Sequence, residues 1–390
     1  MKGRKGWVDV DLDGLRKVLE RRGKEFAVFE LVQNAWDEDI TEVRVELSEP
    51  VSGWSELRVW DDSSDGFRNL SDAFTLYGES WKKANPEKRG AFNIGEKLVL
   101  ALCDEATITS TSGQVIFDQK GRRHTGKRLA RGTEFRGRLR LTRADFDGIC
   151  QKVKYLIPDV ASYYNGELIR LRRPIACFNA VLPTVYAGED GVLRPRKRNT
   201  LVRVFEPFEG EEATLYEMGI PVVPTADSWH VVVEQKVPLN MERDNVTPAF
   251  LGAVRVAVLN ALSSAVNQEQ ASEAWVRAAA SDPRIEADAF RRIVETRFGR
   301  SVVAFDPSDI GSNREATAQG FTVVSGGSLC RGEWENARRT GVLRPAGQMF
   351  QQSMKPKNQR RGLIDQSGPR KCVPMGNSLK RFLPRWSVTG

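Results

Sequence analysis

The stretch that decides the fold is KEFAVFELVQNAWDE, residues 24–38. As a helix, it places Glu30, Asn34 and Asp37 on one face, because residues four and seven apart share a side. The opposite stripe is apolar and suited to packing on a core: Val28, Leu31, Val32 and Ala35. The amide oxygen can hold a hydrated magnesium ion, and the carboxylate can orient and deprotonate a water. A plain amphipathic helix with a solvated polar face is the alternative, and this stretch by itself favours it.

The composition is that of a soluble globular protein with two or three domains: 390 residues, of which 40% are hydrophobic and 28% charged. No apolar run approaches the length of a membrane span, and residues 1–14 lack the apolar core of a signal peptide. We therefore expect a cytoplasmic protein with no membrane partner. Five scattered cysteines without a CxxC pair and only two histidines argue against a zinc site and a His-based triad.

The positive charge is concentrated near the C-terminus. Residues 351–390 carry nine Lys or Arg against one acid, Asp365, which equals the net charge of +8 of the whole chain. The first 350 residues are therefore balanced. We expect the tail to be mostly disordered, because it is rich in Pro, Gly and basic residues and has weak periodicity.

Hydrophobic periodicity and turn signals predict helices at 11–22, 24–38, 69–77 and 94–103, strands at 42–48, 56–60, 105–111, 114–118 and 131–141, and a charged loop at 78–93. This order favours an α/β two-layer sandwich with a mobile loop over one face, in residues 1–141. A second α/β domain is expected at 142–268, and it ends in a long helix at 250–266. A small α/β domain of unknown role at 280–350 and the basic tail at 351–390 complete the chain.

Two further stretches suit a nucleotide. WDDSSDGF, residues 60–67, is a polar turn after a predicted strand. An acid there can accept a hydrogen bond from the exocyclic amine of adenine, and small neighbours let the base approach. RGAFNIGEK, residues 89–97, is a glycine-flanked loop that enters a helix, where unpaired N–H groups attract an anion. Taken singly, an exposed acidic turn and simple helix capping are the commoner interpretations.

In this order and spacing, the three stretches resemble the GHKL ATPases, a superfamily that includes gyrase B subunits, MutL-type mismatch-repair proteins, the ninety-kilodalton heat-shock chaperones, MORC proteins and histidine kinases. The resemblance covers about the first 140 residues and implies the Bergerat ATP-binding fold, with ATP and Mg2+ as cofactors. ELVQNAWDE resembles the N-box of the family. This implies Glu30 as the general base, Asn34 as the magnesium ligand and Asp37 near the nucleotide.

The other boxes imply further contacts. WDDSSDGF resembles the D-x-G-x-G box, which implies Asp62 as the adenine-binding acid and Gly66 beside it; Ser64 replaces the first glycine, and Asp61 remains a rival for the adenine contact. RGAFNIGEK resembles the second glycine box and the end of the ATP lid, which implies Gly90, Gly95 and Lys97 near the phosphates. RGTEF, at 131–135, resembles the Gly-Thr strand, which implies Thr133 near adenine.

A fifth match concerns the second domain. VPLNMERDNV, residues 237–246, resembles the middle-domain loop of the heat-shock chaperones and implies Arg243 as the γ-phosphate contact, helped by Asn240. A planar guanidinium can stabilise charge on a transferring phosphate. Lys236 is the alternative, because EQKVP resembles the lysine loop of gyrase and MutL-type proteins. A surface ion pair explains Arg243 equally well. A second-domain cation of either kind argues against a histidine kinase.

These observations predict Mg-dependent ATP binding and hydrolysis that drives domain closure or nucleotide-dependent homodimerisation. We expect the cycle to act on DNA, because clustered Lys and Arg residues, as in the tail, bind phosphates. Two alternatives remain open. The first is a chaperone-like ATPase that acts on protein clients, suggested by VPLNMERDN. The second is a non-hydrolysing, ATP-dependent scaffold, for which the incomplete acid-turn box leaves room.

Overall fold

The computed structural model describes residues 11–20, 23–67, 70–75, 85, 87–88, 95–187, 192–239 and 246–350. The tail at 351–390, most of the loop at 78–93 and the segment 240–245 lie outside these ranges. Within them the chain is mixed α/β with two large sheets, and the α/β class predicted from the sequence is confirmed. Among the described helices, none is both long enough and apolar enough to span a membrane.

Eight of the described strands form the first sheet, in the order β5-β4-β3-β6-β2-β1-β7-β8. The strands are β1 (Glu42–Leu47), β2 (Trp54–Asp61), β3 (Cys103–Ser110), β4 (Gly113–Asp118), β5 (Gly121–Thr125), β6 (Thr133–Arg140), β7 (Ala161–Tyr164) and β8 (Glu167–Leu168). The helices that pack with it are α1 (Leu12–Glu20), α2 (Glu25–Trp36), α3 (Gly95–Leu102) and α4 (Arg143–Val153). The pair β1–β7 is parallel, and the other neighbouring pairs are antiparallel.

Period-two alternation decides which side of this sheet is buried. In β2, Leu57, Val59 and Asp61 are buried, whereas Glu56 is exposed and Arg58 and Trp60 are half-buried. Leu57 and Val59 share an apolar cluster with α2, which packs on β1, β2, α3 and α4. Asp61, the last residue of β2, therefore faces the layer that contains α2.

The second sheet has the order β12-β11-β13-β10-β9. Its strands are β9 (Ala176–Ala187), β10 (Leu193–Phe205), β11 (Thr214–Glu217), β12 (Ile220–Pro224) and β13 (His230–Val233), and the helices α5 (Pro248–Leu262), α6 (Ala274–Ser281) and α7 (Ala287–Phe298) follow. The C-terminal part contains the parallel strands β14 (Val302–Ala304) and β15 (Thr322–Val324) with the helices α8 (Ile310–Ala318), α9 (Arg331–Thr340) and α10 (Ala346–Phe350).

The domain boundaries expected from the sequence do not coincide with the units that pack together in two places. The first sheet runs past residue 141, because α4 packs on α2 and β7 pairs with β1. One apolar cluster joins the second sheet and α5–α7 to Ala304, Val324 and Leu343, so the regions expected at 142–268 and 280–350 share a core. The helix predicted at 69–77 is a short 3-10 turn, Leu70–Ala73, within the described residues. The elements β5, α6 and α9 were not predicted from the sequence.

A buried charged cluster fixes the connection between the two sheets. Arg172, which follows β8 and has a side chain only 2% exposed, donates to both oxygens of Glu211 at 2.6 Å. Glu211 also accepts from the Phe208 N–H at 2.9 Å and contacts His230 Nε2 at 3.1 Å. Because His230 Nδ1 accepts the Thr214 N–H at 3.0 Å, Nε2 carries the proton and donates it to Glu211.

This cluster predicts acid sensitivity. Burial acts to raise the pKa of Glu211, but the hydrogen bonds from Arg172, the Phe208 N–H and His230 outweigh it and lower the pKa from 4.5 to about 2. A depressed pKa stabilises the folded state fully above about pH 4.5, and the contribution is lost as the pH falls toward 2. We expect Glu211→Gln to lower the free energy of unfolding at neutral pH and to flatten its fall across this window, measured by urea unfolding.

The matched control is Glu212→Gln, at the neighbouring exposed position. It should leave the pH profile of unfolding unchanged. If Glu211→Gln gave the wild-type profile, the cluster would not be the source of the acid sensitivity.

Candidate active site

The polar face of α2 is not solvated. Glu30 is 7% exposed, Asp37 at the C-cap is 1% exposed, and Asn34 between them is half-buried. Carboxylates are buried in proteins where nearby groups compensate their charge. This face of α2 therefore belongs to an enclosed polar region, and the alternative of a solvated face does not describe the helix.

Asp61 ends β2 on the side of the sheet that carries α2, and it is 8% exposed. Its Oδ1 accepts the N–H of Ser63 at 3.0 Å and the Ser63 hydroxyl at 2.6 Å. Burial raises the pKa of Asp61, the hydrogen bonds from Ser63 and the Thr133 N–H oppose this, and the charge of Glu38 adds to the rise. Glu38 lies two residues beyond Trp36, the last residue of α2, so the C-terminal end of α2 lies near Asp61.

Asp62 makes a different set of contacts. Its Oδ1 accepts the N–H groups of Thr41 at 2.8 Å and Glu42 at 3.1 Å, and its Oδ2 accepts the Thr41 hydroxyl and pairs with Arg131. Burial acts to raise the pKa of Asp62, but these hydrogen bonds and the Arg131 charge lower it. Asp62 thus joins the start of β1 to the segment before β6.

Two glycines allow the loop after β2 to lie against neighbouring strand ends. At Gly66, with φ of 59°, a Cβ would lie 2.2 Å from the hydroxyl oxygen of Ser110. At Gly132, with φ of 83°, a Cβ would lie 1.9 Å from the carbonyl oxygen of Asp61. The Gly132 N–H donates to the Ser63 carbonyl at 2.8 Å. Only glycine permits this backbone contact at a positive φ.

Thr133, which the resemblance implies near adenine, lies at the end of the sheet that carries Asp61. It begins β6, and it stands directly opposite Asp61 of β2 and Ser110 of β3 in the register. A buried carboxylate, two hydroxyl groups and the glycine contacts at 66 and 132 therefore meet at one end of the sheet. Ser63, Ser110 and Arg131 were not predicted from the sequence, and Gly132, which lies inside RGTEF, was given no role there.

The residues implied near the phosphates are described in part. Gly95 begins α3, and Lys97 in its first turn is buried. α3 packs beside α2, and Arg16 of α1 donates to the carbonyls of Ala101 and Cys103 at 3.2 and 3.1 Å at the far end of α3. The N-terminus of α3 thus lies in the layer of α2. Gly90 lies outside the described residues.

Of the two second-domain cations, Lys236 is described and Arg243 is not. Lys236 follows β13 and is 3% exposed, and its carbonyl accepts the Thr184 hydroxyl of β9 at 2.8 Å. An isolated bridge between Leu239 and Val246 closes the ends of the segment that contains Arg243.

The described part of the predicted ATP lid contacts both halves of the chain. Lys88 donates from Nζ to the carbonyl of Asp37 at the end of α2. Glu87 pairs with Arg198 of β10, in the second sheet. These neighbouring residues therefore link α2 to the second sheet.

The described residues contain no group of three or more His, Cys, Asp or Glu side chains arranged to hold a metal ion.

No protein-family model matches the chain, and no curated protein sequence is similar to it. Similar solved structures include the ATPase region of Saccharomyces cerevisiae topoisomerase II, at a TM-score of 0.38 and 9% identity over 58% of this chain and 78% of that chain. The same region bound to ICRF-187 (dexrazoxane) gives a TM-score of 0.34 and 10% identity over 51% of this chain and 62% of that chain.

A third similar structure contains the ATPase and transducer domains of DNA topoisomerase II from Balamuthia mandrillaris, with a TM-score of 0.33 and 11% identity over 51% of this chain and 59% of that chain. The chain thus spans less than two thirds of the length of the last two structures.

The contact between Gly132 and Asp61 gives a prediction about stability. Gly132→Ala should lower the free energy of unfolding by at least about 2 kcal/mol, because a positive φ strains alanine and the Cβ meets a carbonyl oxygen of the backbone. Urea unfolding measures the loss. Gly126→Ala is the matched control, since a Cβ there meets nothing within 4 Å, and it should change stability by less than about 1 kcal/mol. Equal stability of the two variants would show that the backbones are not in contact.

Proposed function

We propose that the chain binds and hydrolyses ATP at a site formed by α2, the end of β2 and the start of α3. The observation that carries the proposal is that the polar face of α2 and the Asp61 carboxylate are both buried in the layer of α2. The carboxylates and amide on one face of α2 are enclosed, and the end of that helix lies close enough to Asp61 for the Glu38 charge to affect its pKa. The order of the four sequence motifs in the first 141 residues supports the same assignment.

We assign adenine recognition to Asp61, the rival of Asp62 in the sequence analysis. Asp61 faces the layer of α2, and its hydrogen-bond partners are the neutral groups of Ser63 and Thr133. Both oxygens of Asp62 are engaged by Thr41, Glu42 and Arg131. A carboxylate accepts from an amine most strongly where no guanidinium already neutralises it. Asp61 is therefore the better acceptor for the exocyclic amine of adenine.

The donors and acceptors present fit ATP with Mg2+. Asn34 would hold the ion through its amide oxygen, and the ion would supply positive charge next to the phosphates. Lys97 and the N–H groups at the start of α3 would hold the phosphates. Gly66 and Gly132 let the loop after β2 pack against Ser110 and the end of β2, which fixes the position of Asp61 beside the proposed site of the base.

Glu30 is proposed as the general base. It lies one turn before Asn34 on the same face of α2, so it can orient a water next to the bound phosphates and accept its proton. Asp37, at the end of the same face, would lie near the nucleotide. Either Arg243 or Lys236 would then contact the γ-phosphate from the second domain, and the two remain alternatives.

Action on DNA and nucleotide-dependent homodimerisation are further proposals. The DNA proposal is supported by the nine Lys or Arg residues of the tail at 351–390. Most of the VPLNMERDN stretch, on which the chaperone-like alternative depends, lies outside the described residues. Steady-state hydrolysis of ATP would exclude the scaffold alternative.

The test of the general base is Glu30→Gln. We expect turnover to fall by about 10²–10⁴-fold while ATP still binds, because the base acts on water and not on the nucleotide. ATPase rate and ATP affinity should be measured side by side, with and without duplex DNA. Glu46→Gln, an exposed position in β1, controls for the loss of one carboxylate and should keep the wild-type rate. Hydrolysis by Glu30→Gln at the wild-type rate would remove Glu30 from the mechanism.

The test of the adenine contact compares Asp61→Asn with Asp62→Asn. We expect Asp61→Asn to weaken ATP binding by about 10–100-fold, which is the contribution of a hydrogen bond to a charged acceptor. The variant should also discriminate less against inosine triphosphate, which lacks the exocyclic amine. Asp62→Asn should mainly lower the unfolding temperature, because it removes the pairing with Arg131. The assignment fails if a folded Asp62→Asn variant loses ATP binding while Asp61→Asn keeps it.

A further inference from the structure

One edge of the first sheet carries a run of positive charge that the proposed ATP site does not use. Residues 119–131, which we call the basic edge, contain no acid, and their basic residues are Lys120, Arg122, Arg123, His124, Lys127, Arg128 and Arg131. β5, within this segment, is the outermost strand of the sheet. Every residue from 121 to 128 is exposed. The near-neutral balance of the first 350 residues conceals this local excess.

The charge lies on both faces of the edge. Arg122 and His124 project to the side of Phe74, and the Arg122 guanidinium lies 3.8 Å from the centre of the Phe74 ring. Arg123 projects to the other side, where it pairs with Asp118. Among the described residues, Lys127 and Arg128 form no ion pair. The basic edge is therefore a positive rim, and a ligand lying along it meets cations on either side.

The ligand that fits this rim is a linear polyanion. β5 has five residues and is about 17 Å long, which equals the axial rise of about five base pairs of a duplex at about 3.4 Å each. Arg123 and Arg131 pair with Asp118 and Asp62, so the charge that a ligand meets comes mainly from Lys120, Arg122, Lys127 and Arg128. The guanidinium of an arginine matches phosphate oxygens bidentately. None of the large apolar side chains found exposed in the described residues lies between 113 and 131, so this surface has nothing to insert into a lipid layer. We propose that the basic edge binds the phosphate backbone of a nucleic acid.

The basic edge continues directly into the loop that holds Asp61. The Leu129 N–H donates to the Ser110 carbonyl at 3.1 Å, and Arg131 donates to the carbonyl oxygen and carboxylate of Asp62. A nucleic acid on the rim thus contacts a segment that also shapes the proposed adenine site. Coupling between two ligands is reciprocal, so each would change the affinity for the other by the same factor. The inference deepens the nucleic-acid part of the proposed function and does not depend on ATP hydrolysis.

The test is a triple variant of the full chain, Lys120→Gln, Lys127→Gln and Arg128→Gln. Binding of a short fluorescein-labelled DNA duplex is followed by anisotropy, without nucleotide, between about 50 and 200 mM salt. Losing three phosphate contacts should reduce the slope of log affinity against log salt by about 2.7 and the affinity near 0.1 M salt on the order of 10²-fold. A duplex RNA of the same sequence shows whether the rim distinguishes the two backbones.

The matched control removes the same charge from exposed positions in the C-terminal part: Arg291→Gln, Arg292→Gln and Arg331→Gln. It should keep the wild-type slope. Both triple variants should unfold at the wild-type temperature, because the substituted side chains are exposed. An unchanged slope in the first variant, or an equal loss in both, would overturn the proposal and assign binding to the tail or to net charge.

Two further outcomes are informative. If vesicles containing phosphatidylserine bind the wild type more tightly than the duplex does and the first variant loses only vesicle binding, the rim is a lipid surface and the proposal is wrong. If the rim binds duplex while the wild type neither binds nor hydrolyses ATP, the nucleotide proposal fails and the rim survives.

Discussion

The contact between the Gly132 backbone and the carbonyl of Asp61 is the constraint on which the rest of the first domain depends. It fixes where β2 ends and where β6 begins, because the two chains touch at a point where no Cβ fits. With the end of β2 fixed, period-two alternation aims Asp61 toward α2 and places Asp62 beyond the strand, where Arg131 and Thr41 hold it. The position of Asp61, the attachment of β1 and the exit of the basic edge follow from this close approach.

Neighbouring groups give the buried carboxylates opposite properties. Asp62 and Glu211 are each paired with an arginine, and their pKa values are lowered in spite of burial. Asp61 is bonded to neutral donors near Glu38, and its pKa is raised. A carboxylate already neutralised by a guanidinium holds the fold together, whereas one bonded only to neutral donors still has acceptor strength for a ligand. This difference separates the candidate site from the structural clusters.

The sequence predicted most elements of the first sheet because their signals are local. The amphipathic pattern of 24–38 became α2, and the alternating stretches at 42–48 and 131–141 became β1 and β6. The side-chain directions of Asp61 and Asp62 could not be predicted from their distance to Gly66 in the motif. The motif gives the order of the residues, but the directions depend on where β2 ends. β5 was missed because GRRHT has no apolar alternation, and the pairing of β7 with β1 was missed because it joins distant residues.

The short contacts of Glu87 and Lys88 connect the two halves of the molecule through the proposed lid. Lys88 holds the carbonyl at the end of α2, and Glu87, one residue earlier, pairs with Arg198 of the second sheet. The two residues lie in a turn, in which the Lys88 N–H donates to the Asn85 carbonyl at 3.4 Å, and from this turn the two side chains reach different partners. The second sheet and the end of α2 are therefore connected through these two residues. A cation of the second domain that contacted a bound phosphate would form another connection of this kind, because the contact would draw the second sheet toward α2.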